Sequence, residues 1–170
     1  VQAVWDALDR PAVIAGDSAG GLLAAALCLS RRGARQPLGQ VLVYPGLGGD
    51  GSAPSYRENA EAPLLRTEDL AGYHAALHGE GPADPLAHPL QADSLAGLAP
   101  AFVVTADVDP LRDDGRDYVR RLRAEGVAAH WRNEPELPHG YLRARRHSDR
   151  ARRSFQAILA AIQRFAGPPR

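Results

Sequence analysis

Methionine and lysine are both absent from the 170 residues, and cysteine occurs once, as Cys28. A single thiol cannot close an internal disulfide, so a reducing compartment is expected, the cytoplasm in the simplest case. The lack of lysine leaves every basic charge on arginine, which reads as coding bias with a small gain in ion-pair persistence. Because the chain starts at Val1 and holds no methionine, coding sequence is expected upstream of it. No apolar run reaches membrane-spanning length, and no basic-then-apolar leader precedes the first expected strand. Net charge is missing too: 20 basic and 20 acidic residues cancel, which removes any global attraction to nucleic acid or an anionic membrane. What is there is 45% hydrophobic and 24% charged, the make-up of an ordinary globular chain. The length suits one domain, residues 1–170, with a real core.

The most informative stretch is Ala12 to Gly21, AVIAGDSAGG. A short apolar run meets a turn of small residues, and a long Ala/Leu segment follows at once, so the order is strand, sharp turn, helix. Gly16-Asp17-Ser18-Ala19-Gly20 fits the G-x-S-x-G nucleophile elbow, in which a strained serine stands its hydroxyl clear of the sheet. Side chains two residues either side of Ser18 are expected to collide with neighbouring backbone, which glycine avoids. The helix starting at Ala19 aims free N–H groups and its positive dipole end at the same place, so Ala19 N–H is a candidate oxyanion donor. A phosphate-binding loop would instead need Gly-Lys-Ser/Thr or Gly-x-Gly-x-x-Gly here, and neither is present.

Along the chain, Val4, Trp5 and Leu8 show helical spacing, and Asp9-Arg10-Pro11 ends that segment. Strands are expected at 12–16, 40–44, 101–106 and, more weakly, 127–133. Helices are expected at 19–32, 67–78, 111–125 and 149–165, with Gly33 and Gly126 past the ends of two of them. Residues 46–66, rich in Gly, Ser and Pro, read as an irregular excursion over the site. Alternating helices and unbroken apolar strands imply an open, mostly parallel α/β sheet with helices on both faces. In such sheets the working residues gather beyond the carboxyl ends of the strands.

A serine nucleophile needs a base and a group to orient it, both at strand ends on one side of the sheet. Asp107-Val108-Asp109-Pro110 follows the third strand and Pro138-His139-Gly140-Tyr141 the fourth. The order Ser18, Asp109, His139 is then that of the α/β-hydrolases. Asp109 is preferred to Asp107 because it sits at the loop-to-helix junction, with Pro110 suited to the first helical position. Taken alone, Asp109 could be a helix cap and His139 a polar loop residue. Asp113 and Asp114, inside the helix, are expected to face solvent.

GDSAGG, DPLRDDG and HGY together resemble the hormone-sensitive-lipase-like branch of the α/β-hydrolases, the bacterial esterases and lipases. Ser55-Tyr56-Arg57-Glu58-Asn59, Ala62-Pro63-Leu64-Leu65 and Ala99-Pro100-Ala101 look like that family's connecting segments. The resemblance covers essentially the whole chain. It implies triad roles for Ser18, Asp109 and His139, an oxyanion role for Ala19 N–H, and hydrolysis of carboxylic esters of short or medium acyl chains without metal or cofactor. A deacetylase or peptidase on the same fold stays open. The family's His-Gly-Gly-Gly loop, which supplies the other oxyanion N–H groups, is absent. The chain therefore resembles the C-terminal half of an esterase, and an incompetent hydrolase fragment or interaction module is the alternative. With the preceding strand missing, the 12–16 strand is expected to be an exposed edge prone to self-association, as a homo-oligomer or with its other half.

Other signals carry less. Gly46, Gly48 and Gly51 match Gly-x-Gly-x-x-Gly, but Pro54 forbids the helix a dinucleotide site needs. His74 and His78 could share a metal at helical spacing, yet no Glu or third ligand accompanies them. The run Arg143, Arg145, Arg146, Arg150, Arg152 and Arg153 lacks interleaved aromatics and reads as a charged helix start, not a nucleic-acid surface. Asp17 is expected to make structural hydrogen bonds.

Overall fold

The computed structural model describes residues 1–78 and 84–167. Four parallel strands, β1 (Ile14–Asp17), β2 (Gln40–Val43), β3 (Ala101–Val108) and β4 (Ala129–Pro138), lie side by side in chain order. Helices α1 (Gln2–Asp6), α2 (Ala19–Ser30), α3 (Pro54–Glu58), α4 (Thr67–His78), α5 (Arg112–Ala124) and α6 (Asp149–Ala166) surround them. The central strands β2 and β3 are buried on both faces, which is why their residues are mostly apolar without alternation, while β1 and β4 are part-exposed. Leu42 and Val103 face a cluster with Leu22, Ala25 and Cys28 of α2 and Tyr118 and Leu122 of α5. Val41, Val43, Phe102 and Val104 face the other way, onto Ala151, Ile158 and Ala161 of α6.

The expected open α/β sheet is present, with three differences in detail. Pro54–Glu58 forms a helix inside the segment read as irregular; Pro54 at its start needs no N–H partner there. The fourth strand runs on to Pro138, ten residues in all, through polar positions that hid it. Its register against β3 shifts between Ala106 and Val108, and Glu136 adopts φ 61° there. This irregularity re-aims the chain just before His139. Helix α5 begins at Arg112, so Pro110 is not its first residue.

Between its exposed ends, Ala19 and Ser30, α2 is buried nearly all round, as its composition demands, apart from Leu23 at 49% exposed. Desolvation pushes the Cys28 thiol up to about 12, so it stays an inert core group. Among the described residues no helix is long and apolar enough to cross a membrane. β1 lies at one end of the sheet, bonded on its β2 side alone among the described strands.

Candidate active site

Ser18 sits between β1 and α2 with φ 52° and ψ −120°, a conformation that L-residues rarely adopt. The strain is held by packing: Ser18 N–H donates to Val43 O at 2.9 Å, and Ser18 O accepts from Gly21 and Leu22 N–H. A Cβ on Gly16 would lie 2.2 Å from the carbonyl oxygen of Gly20. The expected clash is thus real at Gly16 but not at Gly20, where a Cβ would meet nothing nearer than Asp17 Oδ1 at 4.0 Å. The second tight position is Gly21, whose Cβ would be 2.9 Å from Pro45 Cβ. The elbow needs a bare backbone where strand and helix cross, and that crossing is Gly16 on Gly20 and Gly21 on Pro45.

The structure brings Ser18, His139 and Asp109 together from three strand ends. Ser18 Oγ is 2.8 Å from His139 Nε2, and His139 Nδ1 is 2.7 Å from Asp109 Oδ2. A carboxylate only accepts, so Nδ1 carries the proton and Nε2 is left to accept from the serine hydroxyl. Asp109 is fully buried, and its Oδ1 accepts the Leu111 N–H at 2.9 Å. Its backbone carbonyl accepts from Asn59 Nδ2 at 3.1 Å. Asp107 does different work: it takes Asn133 Nδ2 at 2.8 Å and the Glu136 N–H at 3.3 Å, bracing the irregular end of β4. His139 is backed by the Tyr44 ring, centroids 4.8 Å apart and tilted by 56°. Tyr44 donates its hydroxyl to Asp17 Oδ2 at 3.2 Å, the structural bond expected of that aspartate. Burial, then the Asp17 charge, pushes the phenol well above its ordinary range, so it remains a donor.

Asp113 and Asp114 do not face solvent; both are buried. Asp113 accepts the Ser55 N–H at 3.1 Å and pairs with Arg116 at 2.9 Å. Asp114 accepts the N–H groups of Leu47 and Gly49 at 2.8 and 3.2 Å and the Tyr56 hydroxyl at 2.9 Å. Burial pushes the Asp114 carboxyl up to about 6, against the pull of these three donors. The two side chains tie the 46–59 segment to the start of α5, next to Asp109. Their loop partners lie 58 to 67 residues away, where no local pattern could show them.

A cavity of about 440 Å³ opens on Ser18 and His139. Ala19 lines it at the start of α2, with Gly46 and Gly48 on the tied loop. Its apolar wall includes Leu64, Leu65, Leu70 and Leu111, and His88 and Arg143 add polar groups. His88 was not legible beforehand; it is 8% exposed, and a Cβ on Gly48 (φ 71°) would fall 2.2 Å from its Nδ1. Among the described residues no group of three or more His, Cys, Asp or Glu is placed to hold a metal ion. The side chains of His74 and His78 lie outside the described residues. In the basic run, Arg150 pairs with Glu136 at 2.5 Å and Arg152 with Asp149, the pairings of a solvated helix start.

A strained serine between β1 and α2 is thus met by aspartate from the end of β3 and histidine from the end of β4, all on one side of a parallel sheet. The chain belongs to the alpha/beta hydrolase fold family, whose model matches residues 3–143. It is 42% identical over 135 residues to the esterase LipI of Mycobacterium tuberculosis, covering 76% of this chain and 42% of LipI. It is 41% identical over 138 residues to the carboxylesterase NlhH of the same organism, covering 76% and 43%. A solved hyperthermophilic esterase from the archaeon Pyrobaculum calidifontis superposes with TM-score 0.81 at 34% identity, over 91% of this chain and 52% of that one. The chain thus spans about two fifths of the length of these two curated relatives.

Proposed function

We propose that the chain carries the nucleophile, base and acid of a carboxylic ester hydrolase acting on short to medium acyl chains. The observation that carries this is the unbroken relay from Ser18 Oγ through His139 to buried Asp109, at 2.8 and 2.7 Å. Ser18 attacks the ester carbonyl while His139 Nε2 takes its proton. Asp109 holds the imidazole with its Nδ1 proton inward and stabilises the imidazolium. The tetrahedral oxyanion forms at the N-terminus of α2, where Ala19 N–H is the donor on this chain. His139 then protonates the departing alcohol, and water, deprotonated by the same histidine, releases the acid from Ser18. The names of the relatives support the ester substrate, and the leucine-walled cavity supports an acyl chain of modest length.

The test is turnover of p-nitrophenyl acetate, butyrate and octanoate by the chain and by a form extended with the upstream coding sequence, each beside Ser18→Ala. Equal turnover by Ser18→Ala and the parent in both forms overturns the assignment.

A second reading rests on a specific feature: the sequence holds no His-Gly-Gly-Gly loop, so the oxyanion would meet α2 alone. Losing one oxyanion donor costs about 3–4 kcal/mol of barrier. On this reading the chain by itself keeps an activated serine without useful turnover. A fluorophosphonate probe that labels Ser18 in a chain that does not turn over esters would support it.

A further inference from the structure

The cavity on Ser18 and His139 is apolar along Leu22, Leu64, Leu65, Leu70 and Leu111. Among the described residues that line it, Arg143 is the one that is charged at every working pH. It is presented from a braced position. Arg143 belongs to a short 3-10 turn, Tyr141–Ala144, that follows Gly140 (φ 72°), and its N–H donates to Gly140 O at 3.1 Å. The turn is pinned from below by Tyr141, whose hydroxyl is 2.6 Å from buried Ser154 Oγ.

Three of the neighbouring arginines are engaged, while exposed Arg146 and Arg153 show no side-chain partner among the described residues. Arg145 donates to Leu142 O at 3.0 Å and lies 5.3 Å from the Phe155 ring, while Arg150 and Arg152 have carboxylate partners. The Arg143 guanidinium makes no hydrogen bond or ion pair among the described residues. Arg143 is exposed, so its guanidinium stands in water at the mouth of the cavity, and a substrate carboxylate placed there gains a charge-assisted pair. The chemistry adds to it: in the attack His139 becomes an imidazolium in a cavity that already holds a guanidinium. A planar fork with five N–H donors matches a carboxylate, and the leucine wall suits a hydrocarbon spacer between that carboxylate and the ester.

We propose, on the esterase reading above, that Arg143 makes this site selective for esters that carry a carboxylate, which its guanidinium binds while Ser18 attacks the ester carbonyl. Hydrolysis itself is unchanged: water is consumed, the acyl–oxygen bond breaks, and acid and alcohol leave.

The carboxylate can lie on the acyl or on the alcohol side, so the test has two arms. p-Nitrophenyl hemiglutarate is compared with its methyl-capped diester, and 4-acetoxybenzoate with methyl 4-acetoxybenzoate, in the parent, Arg143→Gln and Arg143→Lys. The expected result is a kcat/KM ratio of anionic to capped ester about tenfold or more above one in at least one arm, expressed in KM. The ratio should fall to near one in Arg143→Gln, stay largely in Arg143→Lys, and weaken with added salt. A ratio that is the same in the parent and in Arg143→Gln overturns the proposal. If no ester is cleaved faster than by Ser18→Ala, the esterase reading fails by itself. Calorimetric binding of hemiglutarate to Ser18→Ala, with and without Arg143→Gln, then still decides the charge selectivity: equal affinities overturn it.

Discussion

The Asp114 carboxylate accepts the backbone N–H of Leu47, 67 residues earlier in the chain, at 2.8 Å with no access to solvent. Around this one bond the Gly49 N–H and the Tyr56 hydroxyl converge, so one side chain holds the loop that lines the cavity through Gly46 and Gly48.

Because burial raises the Asp114 carboxyl from 3.8 to about 6, the folded state takes up this proton at higher pH than the unfolded chain. The contribution is therefore fully present below about pH 4 and lost as pH rises through about 6. Asp114→Asn does not titrate and keeps an acceptor for the two backbone donors. Relative to that variant, the parent should gain stability on going from pH 7 to pH 4, by up to about 3 kcal/mol. Urea melts at stepped pH check this, and parallel curves for the two proteins would refute it. Asp114→Ala leaves three donors without that acceptor and should cost roughly 2–4 kcal/mol at pH 4, and less at pH 7, where the parent has lost its own contribution.

Asp109 and Asp107 lie two residues apart and should separate cleanly. Asp109→Asn replaces an acceptor-only carboxylate with an amide whose NH2 can face Nδ1, so the His139 tautomer is no longer fixed and kcat should fall about 10⁴-fold with little change in KM. Asp107→Asn touches the braces to Asn133 and Glu136 and a 3.9 Å pairing with Arg112, and should cost about 1 kcal/mol of stability with kcat near that of the parent. Steady-state kinetics beside thermal melts decide the pair, and a reversed order would exchange the two roles.

At the elbow, Gly16→Ala drives a methyl to 2.2 Å from the Gly20 carbonyl, a backbone atom that cannot swing away. Loss of about 3 kcal/mol or more, or failure to fold, is expected. Gly20→Ala meets nothing within ordinary contact distance and sits in α2, so it should hold or raise stability by up to about 1 kcal/mol. Circular dichroism melts of both variants measure this; equal losses would place the crossing elsewhere.

The free side of β1 predicts association. Ile14 and Ser18 donate toward β2, to Gly39 and Val43, so the alternating amides of Ala15 and Asp17 point away from the sheet. They should exchange faster than those of Val103 and Val104. The isolated chain should elute from size exclusion as a concentration-dependent oligomer, reduced by Ala15→Lys. A monomer with all four amides equally protected would contradict the exposed edge.

Much of this protein is local and so readable from the chain alone. GDSAG between an apolar run and an Ala/Leu helix dictates an elbow, because few backbones join those elements at a serine. Unbroken apolar strands dictate a sheet covered on both faces. Ser18, Asp109 and His139 could be named from their order at strand ends, since a parallel sheet puts all such ends on one side. The rest needed three dimensions. Asp113 and Asp114 look solvated on a helix rich in charged residues, and only the folded loop, 58 and 67 residues away, supplies the donors that let them be buried. Gly20 and Gly21 could not be ranked by motif, because what matters is whose Cβ would meet Pro45. The end of β4 escaped notice because its irregular register, which turns His139 onto Asp109, runs through Asn, Glu and Pro. Local pattern determines which elements form, while burial and partners at long range decide what each polar side chain inside them does.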